Sequence, residues 1–438
     1  VKKRAFFPAA RLTRREDGAV LVVVALTMAV LLGFSALVID MGALYLEKSR
    51  LQSALDAAAL AGAQELPDTA GAASAARKYY AANGCDAAGL SVTFPDAETI
   101  TCSGEQTVQT TFARVLGVER TSTRLLHATA IKTKRAVKSP FDYAVFQGQP
   151  DGLLDMGGGA FTVNGGVFSN GGFTCQPGKG TTTITSLETV SAAAPVVASY
   201  VHIASTTTGA GSIGMVDLQP YFDGLRQDAV AGKTFTTLSD AQKAAWAQNW
   251  QVLTTDGNYV INGDFSTSGS FVVKGVLIVN GNMTTAGLTV LPGSALIVNG
   301  NLSWGGYRDY LPRFQDALVY VTGDIRGAPG GTGTYFTGSN SLYAGGDMFL
   351  GGSGIFMTDL SLFYCQEGDL TVSASASGIY MRSILYAYRG TVRLESYPHI
   401  YGAVIGNIVH SFPAGVVVDY PADGLGFSQT EDAFRLID

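Results

Sequence analysis

One short motif returns along the C-terminal two-thirds of this 438-residue chain. Two to four β-formers are followed by a turn residue, Gly, a small polar residue and another β-former. The motif reads YVINGDFS at 259–266, LIVNGNMT at 277–284, LIVNGNLS at 296–303, VYVTGDIR at 319–326, LYAGGDMF at 342–349 and FYCQEGDL at 363–370. Weaker copies follow at 385–392 and 402–409, and FTVNGGVF at 161–168 is an early outlier. The central glycines Gly263, Gly281, Gly300, Gly323, Gly346, Gly368, Gly390 and Gly406 are spaced 18, 19, 23, 23, 22, 22 and 16 residues apart. A leucine-rich repeat has a similar period, but its leucine framework is missing. Short strands with one glycine corner per period suit the coils of an all-β, right-handed parallel β-helix, each coil paired to the next at ~4.8 Å. The body is assigned to residues 143–420. A two-sheet β-sandwich is the alternative; it explains the alternation but not the recurring glycine.

The repeat predicts a core of inward residues such as Val260, Leu277, Ile297 and Val319. The polar residue after each glycine (Asp264, Asn282, Asn301, Asp324, Asp347, Asp369) then forms a row along one edge. Asn and Asp tolerate turn geometry and bond neighbouring backbone, so the row reads as a turn ladder. A calcium-binding or catalytic carboxylate row is the competing reading, but amides interrupt the carboxylates. The repeat breaks between Gly172 and Asp256, so 173–256 reads as an insertion with helices from Leu218 to Ala231 and from Ser239, as N-cap, to Trp250. Trp246 and Trp250, four apart, would dock the second helix on the body. The stretch 421–438, with Phe427, Phe434, Leu436 and Ile437, is expected to cap an end of the helix or trail as a tail.

The N-terminal part obeys a different rule. Gly18–Ile39 is 22 residues without a charge. A helix rising ~1.5 Å per residue takes such a run across a ~30 Å hydrocarbon layer. The helical pattern continues through Leu44, Leu51, Leu55 and Ala57–Ala63 to about residue 66, where Pro67 stops it. A cleaved signal peptide would have a shorter apolar core. Lys2, Lys3, Arg4, Arg11, Arg14 and Arg15 make 1–17 a basic tail, so the N-terminus is expected inside the cell and the body outside. Residues 1–138 hold 17 Lys/Arg and 12 Asp/Glu, a balance of +5; the remaining residues hold 12 and 23, a balance of −11; together they give −6. An acidic body repels phosphate backbones, so nucleic acid is not an expected partner.

The string from Gly18 to Leu66, with Asp40-Met41-Gly42, Tyr45, Leu51-Gln52 and Asp56-Ala-Ala-Ala-Leu-Ala-Gly-Ala63, resembles the N-terminus of TadE/TadG-like proteins of tight-adherence (Flp) pilus assembly. The resemblance covers about residues 14–135. It implies a bacterial envelope protein linked to pilus assembly or attachment, with pilus-assembly or envelope proteins as partners. Two family features are missing. The Glu expected at the fifth position of a processed prepilin segment is Val23, and no DxSxS metal motif is present; Asp359-Leu-Ser361-Leu-Phe363 fails at its last position.

Residues 68–135 read as a small α+β domain, with a helix over 70–82 and strands near 91–94, 107–112 and 121–132. Lys132, Lys134, Arg135 and Lys138 then read as a solvated linker. Cys85 and Cys102 flank one strand turn and are disulfide candidates outside the cytoplasm; Cys175 and Cys365 read as separate buried thiols. The four histidines, His127, His202, His399 and His410, lack metal-ligand spacing, and no hydrolase or nucleotide motif is found. Glu367 with Asp369 is the one tight acidic pair of the repeats, and it fits solvent-facing strand positions. No cofactor, metal or catalytic residue is expected. The expected function is that of a membrane-anchored structural protein displaying a rigid rod for pilus assembly or adhesion. A polysaccharide-binding or polysaccharide-cleaving β-helix and a self-assembling surface-layer component are the alternatives, and surface polysaccharide stays open as a partner.

Overall fold

The computed structural model describes residues 17–437 except 124, 157–160, 176–184, 195, 199–200, 249–251, 307–310, 328–332, 375–378, 411–414 and 428. The basic residues before Glu16, and Trp250, therefore lie outside the described residues. The chain divides into two units, residues up to 136 together with 430–438, and residues 137–429.

The first unit is organised by α1 (Asp17–Glu65), an unbroken helix of 49 residues. Its N-terminal half is long and apolar enough to cross a membrane, and none of it is buried against protein. Its C-terminal half turns small and apolar on one side. Leu51, Ala54, Leu55, Ala58, Ala59 and Ala63 are buried there at spacings of one, three and four, which define one helical face. Against that face lies α2 (Thr69–Ala82), which starts where the Asp68 side chain accepts the Ala70 N–H at 3.0 Å. Gly62 allows the close approach: a Cβ there would stand 3.1 Å from the Ala72 carbonyl oxygen. A sheet in the order Ser91–Asp96, Thr99–Gly104, Leu126–Val137, Gln429–Ile437 completes the unit. The last strand corrects the expectation for the C-terminus. It joins this sheet instead of capping the repeats, while Leu425 and Phe427 pack on the outside of the second unit.

The second unit is a parallel β-solenoid of about 11 turns. Each turn contributes short strands to three columns. In the first, Leu277 pairs with Leu296, then Val319, Leu342, Phe363 and Leu385 in successive coils. In the second, Met283 leads to Leu302, Ile325, Met348 and Leu370. In the third, Val290 leads to Phe314, Phe336 and Met357. These side chains point inward and are buried, so each file is a continuous apolar stack. A slip of one residue would turn a whole file outward, which fixes the register. Two of the expected inward residues are misassigned by that parity. Ile297 belongs to an outer cluster, and Val260 is only half-buried beside the fully buried Ile261.

Order in the stack is not order in the chain. The last repeat strand pairs with the first strand of the body, Val404 with Val145. The stack then continues through Val167, Val190 and Thr206. Thr185–Ala192 and Val201–Thr208, inside the stretch read as an insertion, are thus solenoid strands. Their low apolar content hides them, because they lack the glycine corner.

The true insertion is 209–235, a strap that includes α3 (Gln219–Val230) and runs back along the outer surface of the first column. The Ile213 carbonyl accepts from Asn170, Val216 bonds the Tyr386 hydroxyl, and the Leu218 N–H donates to the Tyr364 hydroxyl. Asp223 accepts from Tyr320, and Thr234 from Asn258. Beneath the strap lies a file of tyrosines, Tyr320, Tyr343, Tyr364 and Tyr386, with successive ring centroids 4.4, 5.9 and 5.2 Å apart. The strap delivers the chain to the far end of the stack, where Thr236–Thr237 pairs with Tyr259–Val260. There α4 (Asp240–Ala247), closed by a Ser239–Gln242 capping box, sets Trp246 against Tyr259 and Phe271 at 5.3 and 5.9 Å.

Candidate functional site

The glycine corners stand in one file between the first and second columns. Asp264 Oδ1 accepts the Asn282 N–H at 2.7 Å, and Asn282 Oδ1 accepts the Asn301 N–H at 2.8 Å. The same bond runs from Asp324 to Asn301, Asp347 to Asp324, Asp369 to Asp347 and Thr391 to Asp369, at 2.7–2.9 Å. Asn262, Asn280 and Asn299 form a parallel amide file. Each ladder side chain thus satisfies a backbone N–H that the corner leaves unpaired. Asn serves as well as Asp here because only a carbonyl-type oxygen is needed. Of the six corner glycines Gly263, Gly281, Gly300, Gly323, Gly346 and Gly368, Gly263 alone has a positive φ, of 75°. At the others glycine answers to crowding between coils. A Cβ on Gly281 would stand 2.5 Å from the Gly263 carbonyl carbon, and one on Gly300 2.6 Å from that of Gly281. The ion pairs Glu367–Arg389 and Asp369–Arg393, at 2.8 and 3.3 Å, are surface contacts of small energetic weight. Among the described residues no cluster of three or more His, Cys, Asp or Glu could hold a metal.

A second surface was not read from the sequence. On the outward side of the third column, Tyr335, Phe356, Tyr380 and His399 occupy equivalent positions in successive coils. Arg382, Tyr401, Asp419 and Asn164 form the neighbouring row. Tyr380 is 62% and Phe356 45% exposed. The Arg382 guanidinium lies 4.8 Å from the Tyr401 ring centre, His399 contacts Asp419, and Asn164 donates to Asp419 at 2.6 Å. Tyr380, Arg382, His399, Tyr401 and Asp419, with Met357, Thr358 and Met381, line a shallow depression of about 300 Å³. The available signal was the strict alternation in Ile379-Tyr-Met-Arg382 and His399-Ile-Tyr401, which marks Tyr380, Arg382, His399 and Tyr401 as outward.

In the first unit the notable group is Asp40, the first charged residue after the apolar run. Its carboxylate accepts the N–H groups of Thr111, Phe112 and Ala113 at 2.8, 3.0 and 2.6 Å. Partial desolvation works to raise its pKa, but the backbone bonds outweigh this and hold the carboxyl below its ordinary range. All four cysteines are free thiols, so the bridge considered between Cys85 and Cys102 is not formed in the structure. Burial pushes Cys102 and Cys175 up to about 11 and Cys365 well above its ordinary value, and it raises Cys85 too, against the Tyr80 hydrogen bond that lowers it. Thiols held in this form are poor nucleophiles at neutral pH.

A family model described as "Putative Flp pilus-assembly TadE/G-like" matches residues 18–65, which is nearly all of α1. No curated protein matches the chain. Among solved structures, the competence-associated pilin ComZ from Thermus thermophilus is similar at 13% identity over 80% of this chain and 83% of that one, with a TM-score of 0.23. That similarity is too slight to assign fold or function.

Proposed function

We propose that this is a membrane-anchored extracytoplasmic structural protein of pilus assembly or surface attachment, with α1 as anchor and the solenoid as a displayed rod. The match of the TadE/G-like family to residues 18–65 carries the reading, because it falls on the helix that is apolar enough to span a bilayer. A solenoid whose coils interlock through backbone ladders suits a load-bearing role better than a catalytic one, and the reading assigns no catalytic residue. The basic residues before Gly18 support a cytoplasmic N-terminus. In spheroplasts, a cysteine replacing exposed Thr93 is expected to react with a membrane-impermeant thiol reagent above the parent's background, and one replacing Ala5 is not. The converse pattern would reverse the orientation. Deletion of the gene is expected to reduce piliation or attachment, with rescue by the full chain but not by a chain lacking only residues 137–429; unchanged piliation would refute the pilus assignment.

The exposed aromatics Phe356 and Tyr380 of one row and Tyr401 of the next, with Arg382 and Asp419 beside Tyr401, favour a second reading in which the rod binds surface polysaccharide. Aromatic faces stack on sugar rings while the charged groups bond hydroxyls. Tyr380→Ala with Tyr401→Ala is expected to abolish retention on immobilised cell-surface polysaccharide without altering thermal stability. Equal retention would remove this reading.

A further inference from the structure

We propose that the tip of the hairpin formed by Thr107–Gln109 and Arg120–Ser122 is a second membrane contact, lying in the lipid headgroup layer beside the point where α1 leaves the bilayer. The inference rests on α1 being the membrane span. Given that, Asp40 sits at the boundary of the hydrocarbon layer, since the uncharged run ends at Ile39. The headgroup region adds only ~5–8 Å on each side of a ~30 Å hydrocarbon layer. The tip cannot be far from it: the Phe112 N–H bonds the Asp40 carboxylate at 3.0 Å, and those of Thr111 and Ala113 do so at 2.8 and 2.6 Å.

The composition of the tip fits that position. Phe112 is 42% and Val118 47% exposed, on a loop closed by the Val118 N–H to the Ala113 carbonyl at 3.2 Å. On α1, Met41 and Tyr45 are likewise exposed, at 61% and 76%. In water these side chains would form an unexplained apolar collar around one helix. In the interfacial layer an aromatic ring, two aliphatic chains and a tyrosine with its polar hydroxyl are well solvated. Arg114 and Arg120 are exposed on the same hairpin and offer guanidinium groups to lipid phosphates. The bilayer is chosen over a protein partner because the patch is continuous with the span itself. Two anchoring points would fix the tilt of the first unit relative to the membrane, which one flexible contact would not.

The test uses the full chain in proteoliposomes with a nitroxide on the lipid headgroup. Phe112→Trp and, separately, Val118→Trp are compared with the parent, whose own tryptophans supply the background. The added emission at either site is expected to fall by about half, as for an interfacial ring. Gln64→Trp, about 36 Å further along α1 at ~1.5 Å per residue, should lose little. Quenching at 112 and 118 no greater than at 64, in protein that resists alkaline extraction, would overturn the proposal and leave the anchor intact. Release of the chain by alkaline extraction would instead refute the anchor, and the second contact with it. Unquenched tips combined with loss of a co-purifying envelope protein in Phe112→Ser would assign the patch to a protein partner and overturn the lipid contact.

Discussion

At Gly281 and Gly300 the hydrogen atom in place of a side chain is a packing requirement, because the neighbouring coil's backbone occupies the space a Cβ would take. The doublet Gly281→Val, Gly300→Val is therefore expected to destabilise the solenoid by ~1–3 kcal/mol per site through overpacking. Limited proteolysis should then cleave 137–429 while the first unit survives; a body that stays resistant would show that the corners can move apart. The recurrence of glycine was visible in the sequence, but its cause was not. A positive φ and a close approach leave the same residue, and only the distance between coils tells them apart. The ladder is separable in a similar way. Asp324→Asn keeps the acceptor for the Asp347 N–H and should melt like the parent. Asp324→Ala leaves that N–H to water and should cost ~1 kcal/mol. If the Asn variant is as damaging as the Ala variant, the carboxylate charge itself matters, and the turn-ladder role is wrong.

Among the elements, the strap over the tyrosine file has the clearest chemical signature. Burial first, and the neighbouring Asp217 and Asp223 carboxylates as well, raise Tyr320, Tyr343, Tyr364 and Tyr386 above the ordinary phenol range. A group whose folded pKa is raised loses its contribution as pH climbs from the unfolded value, ~10 for tyrosine, toward the folded one. The solenoid should hold its stability from neutrality to about 8, lose some above the unfolded thiol value of ~8.5 because buried Cys175 and Cys365 are also raised, and fall steeply above about 9.5 as the tyrosines join. Ultraviolet titration should show these four phenols ionising only as the body unfolds; early reversible titration of all nineteen tyrosines would contradict the buried file. The tyrosines were visible at the second position of VYV, LYA, FYC and LYA, yet the alternation was read only for its inward half. A helix that covers an outward apolar file looks, in sequence, like an interruption of the repeat.

The second unit as a whole is set by one non-local closure that no periodicity reports, the pairing of Val145 with Val404 and of Val163 with Val418. Local motifs identify coils, and they suggest that consecutive coils stack in order; they carry no information on where the first coil docks. The chain thus starts building in the middle of the stack and finishes there. A protease site inserted after Gly232, on the strap's exposed end, gives a direct check. After cleavage the pieces 137–232 and 233–429 should elute as one species, because Pro398–Val409 is held between Ile379–Leu394 on one side and Val145–Gln147 on the other. Spontaneous separation in the absence of denaturant would mean that the closure is not formed.

That closure also sets a clock. For a chain made and released N-terminus first, the coils around Val145 expose an unpaired sheet edge until Val404 emerges, 259 residues later. Long-range pairing of this kind is slow to form and cannot begin before both partners exist. Coils on either side can stack on their sequence neighbours as they emerge, but the seam at Val145 stays open until nearly all of the body has been made. Until that seam closes, the two runs of coils are separate pieces with facing open edges, and the last step of folding is their joining.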